Sequence, residues 1–181
     1  MRKLISYIAV SLDGKIARAD GGVDWLYELP NPDNLDYGYR EFYDSIDTVI
    51  MGNSTHKVSL ELAETYPTAD KENFVITRNA QLTRDENVTF ISGKIEAQVE
   101  ALKKKEGKDI WLMGGGEVNS LMLNARLLDQ LRLYVIPIIL GEGIPLFSDN
   151  SNQTDVVLTS SQVFSTGVVE LMYHPKKQDN E

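Results

Sequence analysis

Short apolar runs rich in β-branched residues alternate along this chain with segments whose apolar residues recur at helical spacing. That alternation constrains the fold more than any single motif does. Strand-length runs occupy 3–11 (KLISYIAVS), 47–52 (DTVIMG), 72–78 (ENFVITR), 88–92 (VTFIS) and 109–114 (DIWLMG), and then 131–140, 155–164 and 167–174. Helical patterns lie at 33–45, 55–64, 94–107 and 115–125; in 94–107, Ile95, Val99 and Leu102 share one face with charges opposite. Nearly continuous apolar strands separated by helices predict a parallel sheet covered on both faces. The last two runs are joined by Ser165-Thr166-Gly167 with no helix between them, which predicts an antiparallel hairpin. The expected class is therefore α/β, with a mainly parallel central sheet and an antiparallel C-terminal edge. It is read as one domain over 1–175, followed by a polar tail at 176–181.

The totals exclude several functions. A chain of 181 residues can bury a full core. Its formal net charge of −9 argues against a broad nucleic-acid face, which needs clustered cations to neutralise phosphates. The one basic cluster, KKKEGK at 103–108, falls at an expected helix end, where cations complement the helix dipole. There is no cysteine, so disulfides and thiolate metal sites are excluded. His56 and His174 have no neighbouring ligand cluster, and no metal is expected. No apolar run reaches membrane-spanning length. The N-terminal MRKLISYIAVSLDGKI has Asp13 and Lys15 where a signal peptide needs small residues, so it reads as a first strand. An intracellular, cytoplasmic location is expected.

In open α/β sheets, ligands gather at the carboxyl ends of strands, where turns into helices leave N–H groups unpaired. Four such ends here are unusual: GNST at 52–55, TR at 77–78, SG at 92–93 and GGGE at 114–117. Each has a plain explanation on its own. Ser54 or Thr55 caps a helix, Arg78 is a solvated charge, and the triple glycine makes a tight turn. Together they set donors, hydroxyls and one guanidinium along one sheet edge, which suits an extended phosphorylated ligand such as a dinucleotide. The G-x-G-x-x-G fingerprint of a standard Rossmann domain is absent.

These motifs, in this order, resemble the dihydrofolate-reductase-like superfamily, and in particular the reductase domain of the bifunctional deaminase-reductases of riboflavin synthesis. ISYIAVSLDGKIA resembles the first strand and the start of the mobile loop, with an S-x-D-G-x-I-A signature. GGVDWLYELP resembles the end of that loop, TVIMGNST the V-I-M-G-R-x-T turn, and WLMGGGEV the glycine turn into a helix. IPIILGEGIPLF is similar to the P-x-x-L-G-x-G-x-x-L-F segment of the riboflavin-type branch. The resemblance implies a three-layer dihydrofolate-reductase-like fold and an NADPH-dependent reductase acting on a small-molecule substrate.

It also implies roles for particular residues. Gly115 and Gly116 leave room for the pyrophosphate, with Gly114, Glu117 and Val118 in the same turn. Gly52, Asn53, Ser54 and Thr55 hold its other side. Thr77 and Arg78 match the adenosine 2′-phosphate end, with Ser92 beside them, and the arginine favours NADPH over NADH. Ala9, Ile16 and Ala17 match the nicotinamide lining. Trp25 borders the substrate pocket, Asp13 and Lys15 belong to the substrate side, and residues 12–24 form a lid. Asp36 and Glu41 are the candidate proton donors on the first helix.

The departures set the alternatives. Asn53 stands where the family turn has Arg, and Gly38 lies one turn before Phe42 where dihydrofolate reductases carry a carboxylate. THKVSLELAETYP lacks the T-x-x-x-D-D-P acids of true pyrimidine reductases, and the zinc deaminase half is absent. The first expectation is hydride transfer to a pterin- or pyrimidine-like heterocycle. The alternatives are 5-amino-6-(5-phosphoribosylamino)uracil reductase, a non-catalytic NADPH-binding protein, and a structural homodimer; a homodimer is expected in any case.

Overall fold

The structure is a computed structural model that describes residues 1–176; most of the expected polar tail, 177–181, lies outside the described residues. Six parallel strands form the body of one sheet: β1 (Leu4–Ser11), β3 (Ile46–Gly52), β4 (Glu72–Ile76), β5 (Thr89–Ile91), β6 (Asp109–Gly114) and β7 (Gln130–Ile136). The hairpin β9 (Val156–Val163) and β10 (Val169–Pro175) joins antiparallel through β10 to β7. The strand order is β5-β4-β3-β6-β1-β7-β10-β9. The mainly parallel sheet with an antiparallel C-terminal hairpin is the architecture the hydrophobic pattern predicts.

Four helices cover the faces: α1 (Tyr39–Ser45), α2 (Asn53–Leu62), α3 (Ile95–Lys104) and α4 (Gly116–Asn124). Strand alternation sends successive side chains to opposite sides. Leu4, Ile50, Ile110 and Leu112 pack with Val99 and Leu102 of α3 and Met122 and Leu123 of α4. Their neighbours Ile5, Val49, Met51 and Trp111 pack on the other face with Phe42 of α1 and with Tyr66. His56 of α2 lies against Tyr66 and Phe90 on that side. These are the three expected layers.

Two boundaries and one added element differ from the sequence reading. The helix expected over 33–45 begins only at Tyr39, because Asn31 and Leu35 exchange side-chain and backbone hydrogen bonds and close a loop. Asn34, Tyr37 and Gly38 then take positive φ angles, which a helix cannot. The strand expected over 131–140 stops at Ile136, before Pro137. A two-stranded ribbon, β2 (Lys15–Ala17) with β8 (Ile144–Pro145), was not legible in the sequence; it ties the loop after β1 to the segment after β7.

Candidate functional site

The carboxyl ends of β4, β3, β6 and β1 open onto one cleft of about 2010 Å³. That exceeds the roughly 300–1,000 Å³ typical of a drug-sized site. The helices α2 and α4 both begin at this cleft. Their N-cap residues are Gly52 and Gly115, and neither helix has a side-chain cap. Ser54 and Thr55 therefore lie inside the first turn of α2 rather than capping it. Uncapped first-turn N–H groups at the positive end of a helix dipole favour an anion.

Close backbone approach brings the two turns together. A Cβ on Gly52 would stand 3.0 Å from Val118 Cγ2 and 4.0 Å from the Gly115 nitrogen. Within the triple glycine the three positions differ. Gly114 has φ +101° and precedes a cis peptide to Gly115. Gly115 faces Thr55 and Ile16 with ordinary spacing. Gly116 lies under the Pro145 carbonyl, which leaves no room for a Cβ. The expectation that Gly116 is glycine to admit a phosphate is corrected: its missing side chain is demanded by the Pro145 backbone, although the residue does line the cleft.

The rest of the expected cofactor row is brought together. Asn53, Ser54 and Thr55 line the middle of the cleft with Glu117 and Val118 opposite. Thr77, Arg78 and Ser92 line one end, and Ala9, Ile16 and Ala17 line the other. Thr77 is fixed by its amide donating to the Ile91 carbonyl and by its hydroxyl accepting from the Asn79 amide. Gly114 is behind the lining rather than in it.

The expected substrate and proton-donor residues fare otherwise. None of Asp13, Lys15, Trp25, Asp36 and Glu41 lines the cleft. Trp25, 1% exposed, sits in a core with Tyr134, Ile136 and Val168, so it is corrected to a packing residue. Both Asp13 oxygens are engaged elsewhere: Oδ1 accepts from Ser11 Oγ and the Leu140 amide, and Oδ2 from the Gly141 amide. Those bonds hold the Asp13 carboxyl down to about 2 and join the lid to the segment after β7. Lys15 lies on the small β2 strand beside Gly143. Asp36 is exposed and accepts from the Gly38 amide, just before α1. Glu41 is exposed on α1. The loop at 31–38 shifts the start of the helix, and with it both carboxylates.

Sequence reasoning missed the wall at the far end of the cleft, formed by Tyr7, Trp111 and Met113. Tyr7 stacks on Phe42 with ring centroids 4.3 Å apart, and Trp111 donates its Nε1–H to the Tyr7 carbonyl at 3.1 Å. Behind Tyr7 lies a buried polar network in which Tyr134 donates its hydroxyl to Glu170 at 2.7 Å and Arg132 pairs with the same carboxylate. Burial pushes the Tyr7 hydroxyl up to about 12, so it remains a protonated donor at neutral pH. An available signal was the row Tyr7, Ala9 on one face of β1, whose residues continue directly into the lid.

The comparisons with known proteins can be set against this geometry. The family model described as the RibD C-terminal domain matches residues 2–170. The uncharacterized protein YwjB of Bacillus subtilis (strain 168) is 40% identical over 167 residues, covering 92% of this chain and 95% of that protein. A proposed riboflavin biosynthesis protein from Shewanella sp. PV-4 superposes with a TM-score of 0.85 at 29% identity, over 97% of this chain and 99% of that one. Dihydrofolate reductase from Enterococcus faecalis, complexed with NADP(H) and RAB-propyl, shares the fold at a TM-score of 0.68 and 18% identity, with 97% of each chain covered. The fold is thus α/β and dihydrofolate-reductase-like, and a reductase-type function follows the family. By the match over nearly its whole length, the chain belongs to the RibD C-terminal domain family.

Proposed function

We propose that the protein is an NADPH-dependent reductase acting on a small pterin- or pyrimidine-like heterocycle. The observation that carries this reading is the convergence of two uncapped helix N-termini, at Gly52 and Gly115, on one cleft that ends in an aromatic wall. The pyrophosphate is assigned to the first turns of α2 and α4, the adenosine end to Thr77, Arg78 and Ser92, and the nicotinamide to Ala9, Ile16 and Ala17. When bound, the cofactor supplies a hydride to a C=N or C=O bond of the substrate. Tyr7, Trp111 and Met113 give a planar ring a surface to lie on. Asp36 and Glu41 do not reach the cleft, so the proton is assigned to solvent.

Among the described residues that line the cleft, Arg78 is the only cation. It stands at the cofactor end. At the aromatic end the nearby cation, Arg132, sits behind Tyr7 and is already paired with Glu170, which favours an unphosphorylated heterocycle over the uracil intermediate. We place the enzyme in the cytoplasm and as a homodimer. The exposed edge strand β9, with Val157, Leu158 and Val163 open to solvent, supports self-association.

Titration with NADPH, followed by cofactor fluorescence and thermal shift, tests the binding half of the reading. Oxidation of NADPH against a panel of dihydrofolate, pyrimidine and simple carbonyl compounds tests the other half. Failure to bind NADPH would sink the proposal. Binding without turnover of any panel member would transfer the assignment to a non-catalytic NADPH-binding protein.

A further inference from the structure

Arg78, the cation in that lining, is already engaged. Its Nη2 donates to Glu117 Oε2 at 2.7 Å. The two side chains come from different walls: Arg78 follows β4, Glu117 is in the first turn of α4 after β6, and β3 with its Gly52 turn lies between them. The pair therefore bridges the cleft above the strand tip where the two helix N-termini converge. Both side chains are open to solvent, at 90% and 76% exposure. The other charged residues of the cleft, Asp20 and Asp149, are acidic.

We propose that Glu117 is a specificity-determining residue that occupies Arg78 in the free protein and sets how strongly NADPH is preferred over NADH. This inference rests on the cofactor reading above. A 2′-phosphate must take the guanidinium from a carboxylate already in place, whereas NADH makes no such demand. A phosphate carries the larger charge and a tetrahedral set of acceptors, so it wins the exchange. The exchange still costs the Arg78–Glu117 bond. Glu117 acts in a second way too: at the N-terminus of α4 its charge opposes any pyrophosphate there, and that effect is common to both cofactors. Beside the 2′-phosphate the same charge also repels NADPH directly, and only the part that passes through the Arg78–Glu117 bond disappears when Arg78 is removed.

The test is a double-mutant cycle read by equilibrium binding of NADPH and of NADH to the whole chain at low ionic strength. An exposed ion pair is worth about 0.2–1 kcal/mol. Glu117→Gln is therefore expected to tighten NADPH about 1.4- to fivefold more than it tightens NADH. In an Arg78→Ala background the surplus gain for NADPH is expected to shrink to the part that comes from direct repulsion between Glu117 and the 2′-phosphate. The surplus gain for NADPH should shrink in high salt, which screens exposed pairs. Equal tightening of both cofactors with Arg78 present, or weaker NADPH binding by Glu117→Gln, would overturn the inference while leaving the cofactor reading in place. If the wild-type chain binds neither cofactor, that reading falls first and this one with it.

Discussion

Gly116 lies so close beneath the Pro145 carbonyl that a Cβ on it would overlap the oxygen. Its neighbour Gly115 has φ −79°, which any residue adopts, and a Cβ there would meet only Thr55 Oγ1 at 3.5 Å and Ile16 Cδ1 at 3.7 Å. Adjacent glycines thus differ: backbone packing demands Gly116, and the proposed cofactor site would use the open surface at Gly115. Gly116→Ala should displace β8 or the start of α4 and cost about 1–3 kcal/mol, read as a lower urea midpoint. Gly115→Ala should keep a nearly wild-type midpoint and weaken NADPH about tenfold or more, roughly 1.4 kcal/mol, by filling the surface assigned to the pyrophosphate. Indistinguishable midpoints for the two variants would contradict this division.

The network behind the aromatic wall predicts a second contrast. Glu170 and Arg132 are 8% and 19% exposed at the side chain, and Tyr134 adds its hydroxyl to the same carboxylate. Glu170→Gln leaves the guanidinium without its counter-charge in a mostly dry site, for which about 3–5 kcal/mol of stability is expected to be lost. Tyr134→Phe removes a hydroxyl bonded to that carboxylate and keeps the ion pair, at about 1.5–3 kcal/mol. Chemical denaturation of both variants measures the difference. A Tyr134→Phe loss as large as that of Glu170→Gln would mean that the missing counter-charge costs no more than the missing hydroxyl, contrary to this expectation.

Strand tips were legible in the sequence because glycine and hydroxyl residues directly follow apolar runs, and parallel order brings such tips to one edge. Gly52, Thr55, Thr77, Arg78 and Gly115 meet in the cleft for that reason. What failed depended on contacts remote in sequence. Asp13 reads as a loop carboxylate until its partners Leu140 and Gly141, far along the chain, are known. Trp25, four residues before Leu29-Pro30, reads equally well as pocket or core, and only packing against Tyr134, Ile136 and Val168 decides it. Asp36 and Glu41 were placed on an early-starting helix because periodicity does not register the Asn31–Leu35 loop closure. Gly116 needs Pro145 to be understood.

His56 gives a pH signature. It is buried on α2, with Nδ1 3.1 Å from the Tyr66 hydroxyl, and burial lowers its pKa below the usual 6.5. The unfolded chain therefore takes up the proton first as pH falls. Its stabilising contribution is complete above about pH 7 and is lost as pH drops through 6.5 towards the lower folded value. The thermal midpoint should decline as pH falls below about 7, and His56→Gln should flatten that decline. An unchanged slope in the variant would show that the titration lies elsewhere.

The Asp13 latch, by contrast, should not respond to pH over that range. Its carboxylate takes three donors, from Ser11, Leu140 and Gly141, and the first of these contributes most to holding its pKa down to about 2. The unfolded carboxyl titrates near 3.9, so the latch is fully present above roughly pH 4 and is lost only as pH falls towards 2. Amide hydrogen exchange at Leu140 and Gly141, corrected for the intrinsic effect of pH, should accordingly show constant protection from about pH 5 to 8. Asp13→Ala removes all three acceptor bonds and should abolish that protection while the amides of β1 and β6, held in the central sheet, stay slow. If lid closure limits turnover, the variant should also change kcat and KM together rather than KM alone. Protection at Leu140 and Gly141 that survives in Asp13→Ala would show that the β2–β8 ribbon, not the carboxylate, holds the lid.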